Sequence, residues 1–255
     1  MALENYIKTQ LEKKDILLMT HIVLGYPSLD DSYSIIKTMV EAGVDIMELQ
    51  IPFSEPTADG PVIVKANQHA IDNSVKVEEC MELAGKVASE FDIPFLIMTY
   101  YNVPYKYGIN DFTSRMADSN LKGTIIPDLP PEEGSDFYNA MSGNSLDPIM
   151  LFSPTTSEER MKYLNSFAKG FIYCVARKGV TGKDTNFSDE LSGYLERCRK
   201  ATSLPLALGF GIKQKEDVDF LKGKIDIAVV GTQSIKIMDE SGIDAVGDFL
   251  RTLRG

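Results

Sequence analysis

Residues 16–49 read ILLMTHIVLGYPSLDDSYSIIKTMVEAGVDIMEL. The opening run, 16–23, and the closing run, 44–49, are almost continuously apolar, as a strand covered on both faces requires. Between them, residues 28–42 carry apolar side chains three and four positions apart with charges between, the spacing of a helix that packs along one side. Strand, helix and strand in this order form a parallel pair joined by a right-handed crossover.

The unit repeats along the chain. Apolar runs recur at 93–99, 123–127, 148–152, 170–175, 204–208 and 226–230, which makes eight candidate strands. Helical spacing recurs at 77–91, 157–167 and 189–200. Ser157 ahead of Glu158 and Glu159, and Ser188 ahead of Asp189 and Glu190, supply capping hydroxyls followed by acids that suit a helix N-terminus. Alternation of this kind leaves a closed barrel or an open doubly wound sheet. Eight units in 255 residues favour the barrel, which typically needs about 250. The expectation is an α/β fold, a (β/α)8 TIM barrel occupying 1–255 as one domain. An extra helix near 3–13 would plug the bottom of the barrel. Another extra helix is expected after the second strand, where 67–72 and 77–91 read as two helices.

Composition narrows the function. A net charge of -11 disfavours nucleic acid and anionic membrane surfaces, although a small anionic ligand needs only a few local donors. Cys80, Cys174 and Cys198 lack metal-ligand or disulfide spacing, so a reducing cytoplasm is expected. With two histidines, carboxylates become the leading acids and bases. The N-terminal stretch lacks the order of a signal peptide, and no apolar run reaches the roughly 20 residues of a membrane-spanning helix. Neither a dinucleotide fingerprint nor a metal-binding cluster is present, so no cofactor is implied for this chain.

Barrels carry their chemistry at the C-terminal ends of the strands. The second strand runs into Glu48-Leu49-Gln50-Ile51-Pro52-Phe53-Ser54-Glu55-Pro56-Thr57-Ala58-Asp59-Gly60-Pro61, with an acid near each end. Glu48 follows an apolar run and would enter the barrel mouth, while Asp59 sits in a loop able to fold over it. Two carboxylates in unlike surroundings suit separate acid and base roles. From the residues alone, a satisfied core acid at Glu48 and a turn residue at Asp59 are the competing reading. Gly182, Gly211 and the pair Gly231-Thr232, after strands six, seven and eight, would offer backbone N–H groups to a phosphate. The loop 177–189 is long, polar and glycine-containing, as suits a lid.

The string ELQIPFSEPTADGP closely resembles the ELGxPFSDPxADGP signature of tryptophan synthase alpha chains. The resemblance continues through LGYP at 24–27, MTYYN at 98–102, PDLP at 127–130, RKGVTG at 177–182 and GFGI at 209–212, in family order. It implies a lyase of tryptophan biosynthesis that splits indole-3-glycerol phosphate into indole and glyceraldehyde 3-phosphate. In that reading Glu48 is the principal acid/base, Asp59 stabilises the indole N–H, and Tyr173 lies beside the glutamate, although a barrel-filling role for Tyr173 stays open. Tyr100, Thr181, Gly182, Phe210, Gly211, Gly231 and Thr232 would bind substrate. The resemblance further implies a beta-chain partner in an α2β2 tetramer, with pyridoxal phosphate only in that partner. A free-standing lyase, a non-catalytic activator of a beta chain and another phosphosugar barrel remain as alternatives.

Four positions depart from the family pattern, one of them Thr232 where serine is usual, which keeps a hydroxyl and an N–H for a phosphate. Gln50 stands where glycine is usual and could crowd substrate or hydrogen-bond Glu48. Glu55 replaces an aspartate in the segment expected to face the beta chain. His21 occupies a strand-one position that is often aromatic and apolar, and receives no catalytic role here.

Overall fold

The computed structural model describes residues 2–176, 187–209 and 211–254. Eight parallel strands, β1 (Leu17–Val23), β2 (Ile46–Gln50), β3 (Phe95–Met98), β4 (Gly123–Ile125), β5 (Asp147–Phe152), β6 (Ile172–Val175), β7 (Leu206–Gly209) and β8 (Ile227–Val230), close into a barrel in sequence order. Closure is made by β1, which pairs with β2 through Met19 to Val23 and with β8 through Leu17 to Thr20. All eight expected strands are present. Several are trimmed at prolines, which have no N–H to give to a ladder: β3 starts after Pro94, β7 after Pro205, and β4 ends before Pro127.

Side chains alternate across each strand, so two distinct cores form. Leu18, Ile22, Met47, Leu49, Ile97, Ile172, Cys174, Leu206 and Leu208 face outward and pack under the helices. Leu17, Met19, Ile46, Leu96, Met98, Ile125, Ile149, Phe171, Ala207, Ile227 and Val229 fill the interior. Helix α1 (Leu3–Leu11) adds Leu3 and Ile7 to that interior cluster, so it plugs the barrel as expected.

The remaining helices are α2 (Leu29–Glu41), α3 (Pro61–Asp72), α4 (Val77–Glu90), α5 (Asn102–Tyr107), α6 (Ile109–Asp118), α7 (Ser135–Gly143), α8 (Glu158–Asn165), α9 (Phe187–Ala201), α10 (Lys215–Leu221), α11 (Thr232–Ser241) and α12 (Ile243–Arg254). Two helices follow β2, but the first begins at Pro61 and not near residue 67. Proline at the first helical position needs no N–H and already has a helical φ. Two helices also follow β3 and β8, where the sequence reading expected one each. Gly108 and Gly242, both with positive φ, separate the members of these pairs. Ser157 caps α8 by accepting from the Arg160 N–H, whereas Ser188 lies inside α9, which starts one residue earlier.

Beneath the barrel, the buried Asp45 at the entry to β2 gathers three donors. Its carboxylate accepts from the Leu18 N–H at 2.9 Å and from Arg254 Nη2 at 2.6 Å, and it contacts the Lys14 ammonium. The Arg254 guanidinium also donates to the Gly43 carbonyl. Removing one partner of a buried charge cluster strands the rest, at about 3–5 kcal/mol. Asp45→Ala should therefore lower the unfolding free energy by about 3 kcal/mol in a urea titration, and a loss of under half that would show the cluster to be peripheral.

Candidate active site

The alternation that fills the barrel with Met19, Ile46 and Phe171 continues upward one pleat at a time. On β1 the next inward residue is His21, on β2 it is Glu48 and then Gln50, and on β6 it is Tyr173. The apolar filling thus ends in a polar layer at the C-terminal rim. His21 and Glu48 are register partners on adjacent strands, with the His21 Nδ1 3.2 Å from the Glu48 Oε1. Their exposures are 4% and 3%, so neither group is hydrated from bulk solvent. Glycine at 231 leaves room for this histidine, since a Cβ there would sit 3.3 Å from the His21 Cβ.

Asp59 arrives from the loop after β2. Asn67 of α3 ties that loop down: its Oδ1 accepts from the Phe53 N–H and its Nδ2 donates to the Ile63 carbonyl. Phe53 stacks on the buried Tyr100 ring with centroids 5.1 Å apart. The Tyr100 hydroxyl accepts from the Ala58 N–H at 3.0 Å and donates to Asp59 Oδ2 at 3.1 Å. Gln50 Nε2 donates to the same oxygen at 2.7 Å. The Gln50 side chain thus holds Asp59 and makes no hydrogen bond to Glu48, which corrects one of the two roles its sequence position suggested.

Tyr173 completes the cluster. Burial, with Glu48 and then Asp59 adding negative charge, pushes its phenol well above the ordinary value, so it stays a neutral donor. Burial and Asp59 act on Tyr100 in the same direction. A Cβ at Gly209 would come within 3.2 Å of the Tyr173 hydroxyl, so glycine there accommodates the ring. The His21 imidazole is affected by opposing influences. Burial disfavours its proton, while Glu48, Asp59 and the Gln50 amide favour it, and the net direction is upward from 6.5.

Three buried polar atoms in this layer, His21 Nε2, Glu48 Oε2 and Gln50 Oε1, have no hydrogen-bond partner among the described residues. Buried polar groups are ordinarily paired, so such a concentration at a barrel mouth marks a place for a polar ligand. Beside His21, β8 leads through Gly231 straight into α11, which sets a helix N-terminus at the C-terminal end of the barrel. Gly211, with φ +76°, follows β7 at an exposed position. Thr181, Gly182 and Phe210 lie outside the described residues, as do residues 177–186 of the expected lid.

A profile of the tryptophan synthase alpha chain family matches residues 7–249. The chain belongs to the tryptophan synthase alpha chain family. The tryptophan synthase alpha chain of Desulforapulum autotrophicum is 58% identical over 251 residues, covering 98% of this chain and 99% of that one. That of Syntrophotalea carbinolica is also 58% identical, over 252 residues, covering 99% and 100%. Among solved structures, tryptophan synthase subunit alpha from Legionella pneumophila str. Paris superposes with a TM-score of 0.91 at 29% identity, covering 100% of this chain and 97% of that one.

In this member of the tryptophan synthase alpha chain family, Glu48, Asp59, Tyr100 and Tyr173 lie together at one barrel mouth. The sequence reading missed the His21–Glu48 pairing and the anchoring role of Asn67. The signal for the first was parity, because His21 and Glu48 both continue an inward-facing row. Tyr100 is the residue on which the Asp59 loop closes. Tyr100→Phe should speed amide hydrogen exchange at Ala58 by roughly fivefold to tenfold, the factor for one lost hydrogen bond of about 1 kcal/mol. Unchanged exchange would show that the loop is held elsewhere.

Proposed function

We propose that this chain is the alpha subunit of a tryptophan synthase and that it cleaves indole-3-glycerol phosphate to indole and glyceraldehyde 3-phosphate. The observation that carries this reading is the pair of carboxylates at one barrel mouth with unlike partners: Glu48 deep beside an imidazole, Asp59 on a loop beside an amide and a phenol. Retro-aldol cleavage needs a proton delivered to indole C3 and a proton removed from the glycerol hydroxyl, after which the C–C bond breaks. Glu48, with Oε2 unpartnered, serves as the acid/base. Asp59 meets the indole N–H as positive charge develops, and Tyr173 supplies a neutral hydroxyl beside them.

The phosphate of the substrate would settle on backbone amides near Gly211, Gly231 and Thr232, where the α11 dipole adds to the attraction. By family resemblance, Thr181, Gly182 and Phe210 join them from residues outside the described set. The chain itself needs no cofactor in this chemistry, and pyridoxal phosphate belongs to the beta chain. We place the protein in the cytoplasm as one 255-residue barrel domain; no helix among the described residues is long and apolar enough to cross a membrane. Its partner is a tryptophan synthase beta chain in an α2β2 assembly, to which indole passes directly.

Glu48→Gln should abolish indole formation while glycerol phosphate still binds, because shape is kept and the transferable proton is lost. Asp59→Asn should lower turnover by about 10²–10⁴-fold. Near-normal turnover in either variant would remove that residue from the mechanism. A cognate beta chain should accelerate indole release by roughly tenfold or more, as loop closure excludes water from the site. Full activity alone, without complex formation at micromolar concentration, would instead identify a free-standing lyase.

A further inference from the structure

We propose that His21 is a positioning residue for Glu48: its ring grips one carboxylate oxygen and leaves the other, Oε2, aimed at the substrate. The inference rests on the cleavage reading above and assigns a residue to it that the family motifs do not contain.

The geometry restricts the alternatives. His21 and Glu48 are opposite one another in the β1–β2 register, so the contact is set by backbone pairing and not by chance side-chain rotation. Nδ1 faces Oε1 at 3.2 Å, and both side chains are almost wholly enclosed. A histidine placed only to fill the barrel would need no carboxylate, and a core carboxylate placed only for stability would have both oxygens satisfied. Here Oε2 of Glu48 and Nε2 of His21 are left without partners.

The charged and titratable groups facing His21 are Glu48 from β2 and Asp59 from the following loop, with the Gln50 amide between them. Tyr173 from β6 faces the two carboxylates as a neutral phenol. From β8 the approach is made by Gly231, which brings no charge. Burial works against a proton on His21, but the two carboxylates outweigh it, so the imidazolium is kept to a higher pH than an ordinary histidine would allow. Glu48 is then anchored through one oxygen by its neighbour on β1. It takes the glycerol hydroxyl proton at Oε2 and returns it to indole C3 from the same oxygen, after which the electron pair of the C–C bond passes into the protonated indole and the aldehyde forms. One proton moves from oxygen to carbon within the substrate, and His21 keeps its own throughout.

The chain has two histidines, so imidazole resonances can be followed individually by ¹⁵N NMR, with His69→Gln giving the assignment. In the intact protein His21 should titrate above 6.5, and Glu48→Gln should lower that midpoint. In steady-state indole assays, His21→Phe should reduce kcat roughly tenfold to hundredfold, the range for a charge-assisted hydrogen bond, with little change in KM. Its kcat profile against pH should differ in shape from the parent's, because the ionisation of His21 no longer bears on the site. His21→Gln restores a neutral donor to Oε1, so it should regain part of kcat without regaining the shape of the parent profile. A His21 midpoint indifferent to Glu48→Gln, or a His21→Phe kcat profile that superimposes on the parent, overturns the proposal. NMR coupling in a protein that forms no indole would leave the pair intact and refute the cleavage reading instead.

Discussion

Closure of the sheet, with β1 hydrogen-bonded to β2 on one side and to β8 on the other, is the constraint from which the rest of the molecule follows. Once the ring is shut there is no free edge, and every strand must commit alternate residues to the inside. Inside, the lower levels hold aliphatic and aromatic side chains sealed from below by Leu3 and Ile7. Outside, the complementary rows are covered by helices. The polar residues at the C-terminal rim are therefore not decoration on a finished core. They are its uppermost level, and their spacing is inherited from strand registers.

Such a level is expensive to keep dry unless its groups answer one another. The two carboxylates do this in different ways. Glu48 meets an imidazole from the neighbouring strand, whereas Asp59 receives an amide and a phenol, with no cation in contact among the described residues. Two carboxyl groups thus share one opening in unlike surroundings.

Much of this was legible in the sequence. The apolar runs announced the strands because a sheet covered on both faces leaves little choice of residue, and prolines at 94, 127 and 205 account for where those runs overshoot. The loop after β2 declared itself through its string of acids, prolines and glycine. Doubled helices after β3 and β8 were hidden, because each pair is divided by one positive-φ glycine that a periodicity reading passes over. The pairing of His21 with Glu48, 27 residues apart, and of Asp45 with Arg254, 209 apart, follows from register and closure. Those are properties of the assembled ring and leave no local trace. Gln50 was recognised as unusual, yet its partner could be found only once the loop carrying Asp59 had been placed.

The cluster beneath the barrel also bears on how the molecule comes into being. Lys14, Asp45 and Arg254 belong to the approach to β1, the entry to β2 and the end of α12. During synthesis, the first two are available long before the third emerges from the ribosome. Until then Asp45 has the Leu18 amide and one lysine, and β1 has no β8 on which to close. Until β8 is made, the early strands form an open sheet with two free edges, exposed to mispairing. Only with β8 and Arg254 in place can the ring close and Asp45 gain its guanidinium, so residues far apart in the chain guard the same base of the barrel.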